Sequence, residues 1–212
     1  MEIRTFAESD RPLMMELAAE AGKDALTGSL WGDPESEAAV YLTPYYTLEP
    51  ESFFVAVVNG SLAGYLAGSL GTAVPSEEKR MDAVIREYRL MSRKESRGFF
   101  MRAMFDSVSS TLLRRPTAGE LEDPRWPAHL HLNVVPSARG TGAAAGLMEA
   151  WFARLRAEGS TGCYLQTLVE NVRAVRFFTK MGFTPHGDAP FVPGIRGPKG
   201  EKLHQQTMVW SP

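Results

Sequence analysis

The chain has 212 residues, 44% of them apolar and 23% charged, with a formal net charge of −2. This is ordinary globular composition in a length that suits one domain, and the near-neutral charge offers no basic field for nucleic acid. The lone cysteine, Cys163, excludes an internal disulfide and a multi-cysteine metal site, and no window nears the roughly 18 to 20 apolar residues of a membrane span.

The opening Met1-Glu2-Ile3-Arg4-Thr5-Phe6 lacks the charged start and apolar run of a signal peptide, so a cytoplasmic home is expected. Glu2 to Thr5 suits a short strand. Asp10 and Pro12 then open a helix with Leu13, Met14 and Leu17 on one face. An aromatic stretch from Trp31 to Tyr46 follows, its regularity broken by Pro34 and Pro44. Phe53 to Val58 and Leu62 to Leu66 flank Asn59-Gly60, the signature of a hairpin with a type I′ turn. Residues 72–127 read as two helices joined by the polar Ser92–Ser96 stretch. Met81, Val84, Ile85 and Tyr88 mark the first, and Phe100, Met101, Met104, Phe105 and Val108 the second. A proline-rich loop from Pro116 to Pro127 leads to a strand at Ala128–Val135. A helix burying Leu147, Met148, Trp151, Phe152 and Leu155 then ends at Gly159. Cys163 to Leu168 is the next strand. Asn171 caps a helix that turns Ala174, Phe177, Phe178 and Met181 inward and stops at Gly182-Phe183. Phe191 to Gly200 is rich in Pro and Gly, and Leu203 to Trp210 is a closing strand. The order gives a mixed α/β (α+β) fold.

The informative run is Val134-Val135-Pro136-Ser137-Ala138-Arg139-Gly140-Thr141-Gly142-Ala143-Ala144. It passes from a strand into a helix through small residues, leaving main-chain N–H groups uncovered beside the positive end of a helix dipole. Such a turn cradles an anion, and a pyrophosphate suits it. No Gly-Lys-Ser/Thr of a P-loop is present, and the third glycine of a Rossmann loop is missing.

This run resembles the acetyl-CoA loop of the GNAT superfamily of N-acetyltransferases, Arg/Gln-x-x-Gly-x-Gly/Ala, at Arg139, Gly142 and Ala144, with the preceding Val-x-Pro at Val134–Pro136. Downstream, Asn171, Ala174, Phe178, Lys180 and Gly182-Phe183 look like a second signature of that family. The likeness is specific over residues 128–188 and weaker over the first 70, while 72–127 lie outside the usual pattern. The resemblance implies one GNAT domain over residues 1–212, its mixed sheet splayed between the fourth and fifth strands, with 72–127 as a helical insertion. It implies that acetyl-CoA is held by Leu132, Asn133 and Val134, where the main chain of Leu132 and Val134 would pair with pantetheine. The N–H groups of Arg139, Gly140, Thr141, Gly142, Ala143 and Ala144 would hold the pyrophosphate, with Asn171, Ala174 and Phe178 also against the cofactor. No metal is implied. Members work by direct attack of an amine on the thioester in a ternary complex, so the acceptor would be a small amine or a protein lysine.

One position departs from the pattern. The family's frequent proton-donating tyrosine falls on Phe178, which has no donor. Either Tyr164 serves, or the thiolate leaves unassisted, or the chain is an acetyl-CoA-binding pseudo-acetyltransferase acting as an interaction module. The Leu155–Gly162 string is also similar to the acetyltransferase-like C-terminal domain of O-GlcNAcases. Ala128-His129-Leu130-His131 resembles arylalkylamine N-acetyltransferases, where two strand histidines relay protons, although the register to Arg139 is one residue shorter here. His131 is then the candidate base and His129 its relay, the alternative being a half-buried hydrogen-bonded pair. Trp31, Tyr41, Tyr45 and Tyr46 suit either an acceptor pocket or core. The basic run Arg86, Arg89, Arg93, Lys94, Arg97 and Arg102 suits an acidic acceptor or a solvated face. The insertion suits acceptor selection or a homodimer contact.

Overall fold

The computed structural model describes residues 1–27 and 29–212. Strand β1 (Glu2–Thr5) is followed by a 3-10 turn at Glu8–Leu13 and helix α1 (Met14–Gly22). The tighter turn splits the expected single helix and rotates Leu13 outward, 49% exposed, while Met14 and Leu17 stay buried. Pro34 and Pro44 sit in the first turns of the short helices α2 (Pro34–Tyr41) and α3 (Thr43–Leu48), where a missing N–H costs nothing. Strands β2 (Phe53–Val58) and β3 (Ser61–Ser69) form the expected hairpin. Asn59 (φ 51°) and Gly60 (φ 81°) both take the positive φ of a type I′ turn.

The insertion holds α4 (Glu77–Glu87) and α5 (Arg97–Leu112). Of the apolar residues spaced along α5, Phe100 alone turns inward. Met101, Met104, Phe105 and Val108 recur at helical spacing and face solvent. Beyond the loop come β4 (Ala128–Val134), α6 (Ala143–Ala157), β5 (Cys163–Leu168) and α7 (Val172–Lys180). Asn171 caps α7 by accepting the Ala174 N–H at 3.2 Å. Two strands escape the sequence pattern, β6 (Thr184–His186) and β7 (Phe191–Arg196), before the closing β8 (Lys202–Trp210). Pro185, Pro193 and Gly194 interrupt them, which is tolerable because both pair along one outer side of β8.

The sheet runs β1-β2-β3-β4-β5-β8-β6, with β7 also on β8, and its strands pair antiparallel except β4 with β5. Helices α6 and α7 cover one face around Leu147, Met148, Trp151, Leu155, Leu165 and Phe183. Each of these buried side chains contributes about 1.5–3 kcal/mol of burial free energy. Trp151 lies so close to β3 that a Cβ on Gly68 would overlap its indole. The other face carries α1 to α3 over Tyr45, Phe53 and Tyr65. A third cluster of Trp31, Val40, Val84, Leu90 and Phe100 seats the insertion. Among the described residues, no helix is long and apolar enough to cross a membrane.

Candidate active site

Strands β4 and β5 share two register pairs, Ala128↔Cys163 and His129↔Tyr164, and then part. The Val135 N–H donates to the Ala63 carbonyl on β3 at 2.9 Å. Main-chain groups alternate in direction along a strand, so those of Leu132 and Val134 point the other way, into the gap beside β5. The gap opens into a cavity of about 510 Å³ that runs on to the turn before α6. There Gly140 (φ 83°) and Gly142 (φ 91°) adopt a left-handed backbone that disfavours any side chain. Gly142 at the N-cap of α6 offers no side chain, and the Thr141 hydroxyl accepts the Ala143 N–H at 3.4 Å, so the positive dipole end lies at the cavity that Ala143 and Ala144 line.

Leu132, Asn133, Val134, Arg139, Gly140, Gly142, Ala143, Ala144, Asn171, Ala174 and Phe178 all line this cavity. Thr141 does not. Its hydroxyl turns back to donate to the Ala138 carbonyl at 2.7 Å and braces the turn instead. The wall also includes Ala21 in the last turn of α1 and Asp24, Ala25 and Leu26 after it, together with Arg173 and Phe177 on α7, none of which the sequence motifs mark. Arg139 pairs with Asp24 at 2.6 Å. The cavity lining thus combines the start of α6, the Arg139 guanidinium with its partner Asp24, Arg173, and the apolar Ala174, Phe177 and Phe178.

The opposite face of β4 carries the two histidines, each half-buried. Its register with β3 runs without a bulge from Gly64↔Val134 to Ser69↔His129, so His129 and His131 point away from Leu132 and Val134. The shorter register to Arg139 is therefore not made up by a bulge in β4. Neither histidine lines the cavity, and neither does Tyr164. The three do share one face, with the Tyr164 ring 5.7 Å from that of His129.

Tyr45, fully buried, joins the histidines. Its hydroxyl lies 2.9 Å from His129 Nε2 and 3.0 Å from His131 Nε2. The phenol's one proton and two lone pairs can bridge rings of opposite tautomer, one donating from Nε2 and the other accepting there. Burial, with the positive charges nearby, lowers the pKa of His129 to about 3 and that of His131 to about 4. Arg80 lies over the Tyr45 ring at 5.0 Å and donates to the Val40 carbonyl at 2.8 Å. Tyr41, its ring 5.9 Å from His131, donates to Glu77 at 2.8 Å.

Loop 116–127 straps this face. Ala118 N–H donates to the Phe191 carbonyl at 3.0 Å, Gln166 to the Gly119 carbonyl at 2.5 Å, and Glu77 N–H to the Glu120 carboxylate at 2.7 Å. Burial raises the Glu120 pKa. Glu77, Arg80 and Glu120 could not be singled out from the sequence, because they meet the histidines only through the insertion.

A model of the acetyltransferase (GNAT) family matches residues 15–183. The chain belongs to this family. Among solved structures, the GNAT chain superposes on SsHAT over 99% of its length and 97% of the other, at TM-score 0.61 and 20% identity. It superposes on a ribosomal-protein-alanine N-acetyltransferase from Brucella melitensis over 100% of both chains, at TM-score 0.58 and 15% identity. A putative acetyltransferase from Salmonella typhimurium, YncA, solved with acetyl-CoA, matches over 99% and 92%, at TM-score 0.58 and 16% identity. At such identities these likenesses speak for the fold.

Within the GNAT frame the expected aromatic cluster divides. Tyr41 and Tyr45 belong to the histidine face, Trp31 packs on Phe99 and Phe100, and Tyr46 stacks on Phe6. Five members of the basic run Arg86, Arg89, Arg93, Lys94 and Arg97 are exposed, as is Arg102, with Arg93 paired to Asp33 and Arg86 to Asp82. They form a solvated face. No group of three His, Cys, Asp or Glu side chains among the described residues is arranged to hold a metal.

Proposed function

We propose that this chain, acting as one unit over residues 1–212, transfers the acetyl group of acetyl-CoA directly to an amine in a ternary complex. The observation that carries this is the continuity of the cavity. Outward-turned main-chain groups of Leu132 and Val134 run without interruption to the glycine turn at the start of α6. Strand-like main-chain groups suit the amides of pantetheine, and the helix N-terminus with Arg139 and Arg173 suits a pyrophosphate. Acetyl-CoA supplies an acyl group already activated as a thioester.

The amine approaches from the histidine face through the parting of β4 and β5. His131 and His129 exchange a proton through the Tyr45 hydroxyl, each ring trading its tautomer as the proton passes. As the amine nitrogen bonds to the acetyl carbon and the C–S bond breaks, the proton that nitrogen loses passes along His131, Tyr45 and His129 to replace the one Tyr164 gives up. Tyr164, its pKa raised by burial, keeps its proton at neutral pH and is the donor for the departing sulfur. The acceptor is a small amine or a protein lysine.

The test is release of free thiol from acetyl-CoA against a panel of amines, amino acids and lysine peptides. Amine-dependent release above the hydrolysis background is expected. Tight binding of acetyl-CoA with no acceptor accelerating release would replace this reading with that of a binding module, the reading Phe178 favours.

A further inference from the structure

Helix α5 lies on the protein through Phe99, Phe100 and Ala103 in its first half and the polar Asp106 and Ser110 in its second. Asp106, 4% exposed, accepts the Gly194 N–H at 2.9 Å and the Arg196 guanidinium at 2.8 Å, with Lys202 at 3.6 Å. Burial pushes this carboxyl up, but the partners outweigh it and hold it below the usual carboxylate range. Arg102 donates Nε–H to the Gly194 carbonyl at 2.8 Å, and Ser110 is buried. A Cβ on Gly194 would press on Ala103 and Phe99, so helix and strand are in close contact.

The water-facing side is apolar. Met101, Met104, Phe105, Val108 and Leu112 recur at the spacing of a helix–helix seam and are 50%, 49%, 74%, 55% and 79% exposed. This reverses the usual order, in which a surface helix buries its hydrophobes and shows its charges. Leu113, 61% exposed, extends the stripe at its end.

We propose that α5 is a homodimer interface, in which two copies lay this helix antiparallel with Phe105 and Val108 at the two-fold axis. The stripe reads nearly the same from either end, Met101 answering Leu112 and Phe105 answering Val108, as an isologous contact requires. Its six side chains each leave on the order of 100 Å² bare, roughly 600 Å² per copy, near the roughly 800 Å² that one partner brings to a stable interface. The polarity beside the stripe also fits a protein partner. Along α5 the basic side chains are Arg97 at its start and Arg102, tied to Gly194, with Arg114 and Arg115 beyond its end, and the flanks of the stripe are Ser107, Ser109 and Thr111. A helix lying in a membrane surface would instead carry a polar face lined with Lys and Arg.

The interface stands independently of whether the chain turns over an acceptor. Sedimentation velocity of the full chain at tens of micromolar should give twice the chain mass. Phe105→Asp and Val108→Asp, changes at exposed positions, should each halve that mass while the thermal midpoint of the separated chain stays high enough to show it folded. Leu48→Asp, an exposed apolar position on α3, should leave the dimer intact. A wild-type monomer overturns the proposal, and so does a dimer that both α5 substitutions leave unchanged. A wild-type chain that stays monomeric and co-sediments with vesicles of mixed neutral and anionic phospholipid overturns it in favour of a membrane surface.

Discussion

The two faces of β4 are built on opposite principles. Toward β5 it presents bare main chain, small residues and an open cavity ending at an uncapped helix. Toward α3 it presents two histidines whose Nε2 atoms share one phenol, roofed by a strap from the insertion. The first face keeps a cavity for a ligand, although the Arg139, Thr141 and Ala143 N–H groups are already taken within the turn, at 3.3, 3.3 and 3.4 Å. The second is complete in itself, so an acceptor must compete with contacts already made. On the proposed reading, main chain holds acetyl-CoA, while side chains of α3, β4 and the insertion meet the acceptor.

The largest expected effect tests whether the second face is closed. Both histidines carry folded-state pKa values of about 4 and about 3 against an ordinary 6.5. The folded chain resists their protonation, so between pH 6.5 and those values the unfolded chain binds more protons. Stability is then full above pH 6.5 and falls as the pH drops through this window, by about 1.4 kcal/mol per pH unit for each ring. Urea melts at pH 7.5, 5.5 and 4.5 read this directly. The double change His129→Gln with His131→Gln should flatten the slope. Lowered carboxyl groups such as Asp10 and Asp106 add acid sensitivity only below about pH 4. A wild-type chain equally stable at pH 7.5 and 5.5 would mean that water reaches the rings freely.

Next comes the separation of the two faces in kinetics. His131→Ala should lower the turnover number about 100-fold, the usual scale for losing a proton-transfer group. Acetyl-CoA affinity should hardly change, since the ring lies off the cavity wall. His129→Ala, one step further along the relay, should cost less. Near-normal turnover of His131→Ala across pH 6 to 9 would reduce the pair to a structural hydrogen bond, with water or a carboxylate as base. Gly142→Trp should do the converse. A side chain forced onto a backbone at φ 91° and into the cradle should weaken acetyl-CoA binding by about tenfold or more, near 1.4 kcal/mol, as read by titration calorimetry. Unchanged affinity in a folded variant would remove the loop from the cofactor site.

The same division explains what could be read from the sequence. The cofactor face was legible because glycine, proline and capping requirements are local. Gly140, Gly142 and Asn171 announce their conformations within a few residues of chain, and each lines the cavity. The exceptions are also local: Thr141 satisfies its hydroxyl within the turn, and β6 and β7 hide behind prolines that only an outer strand can accept. The histidine face was not legible beyond its strand residues. Tyr45 and His131 are 86 positions apart, and Glu77 meets Glu120 across 43. No periodicity connects such groups. On α5 the helical period was plain, but the period alone does not say which side is buried, and the Asp106 clamp on β7 turns the apolar side outward.

The smallest effect concerns the one residue at which the two faces exchange a role. Phe178, 7% exposed, stands in the cavity wall beside Ala174, its ring 5.3 Å from Phe177 and 5.9 Å from Phe183. Nothing in that apolar wall would receive a phenolic proton, so a hydroxyl added there either goes unpaired or serves the sulfur of the bound cofactor. Tyr164, on the other face, already offers a protonated phenol near His129. If Tyr164 is the donor, Phe178→Tyr should raise turnover only a few-fold, because the role is filled. Tyr164→Phe should then lower it by about tenfold, less than the roughly 100-fold or more that a fully engaged acid supplies. Joining the two changes should restore part of the loss, a coupling between sites that independent structural damage would not produce. Loss of turnover in Tyr164→Phe with no recovery in the double variant would leave Tyr164 a packing residue. No effect from either single change would mean that the thiolate departs without an acid, and the phenylalanine in the family's tyrosine position would then cost this chain nothing.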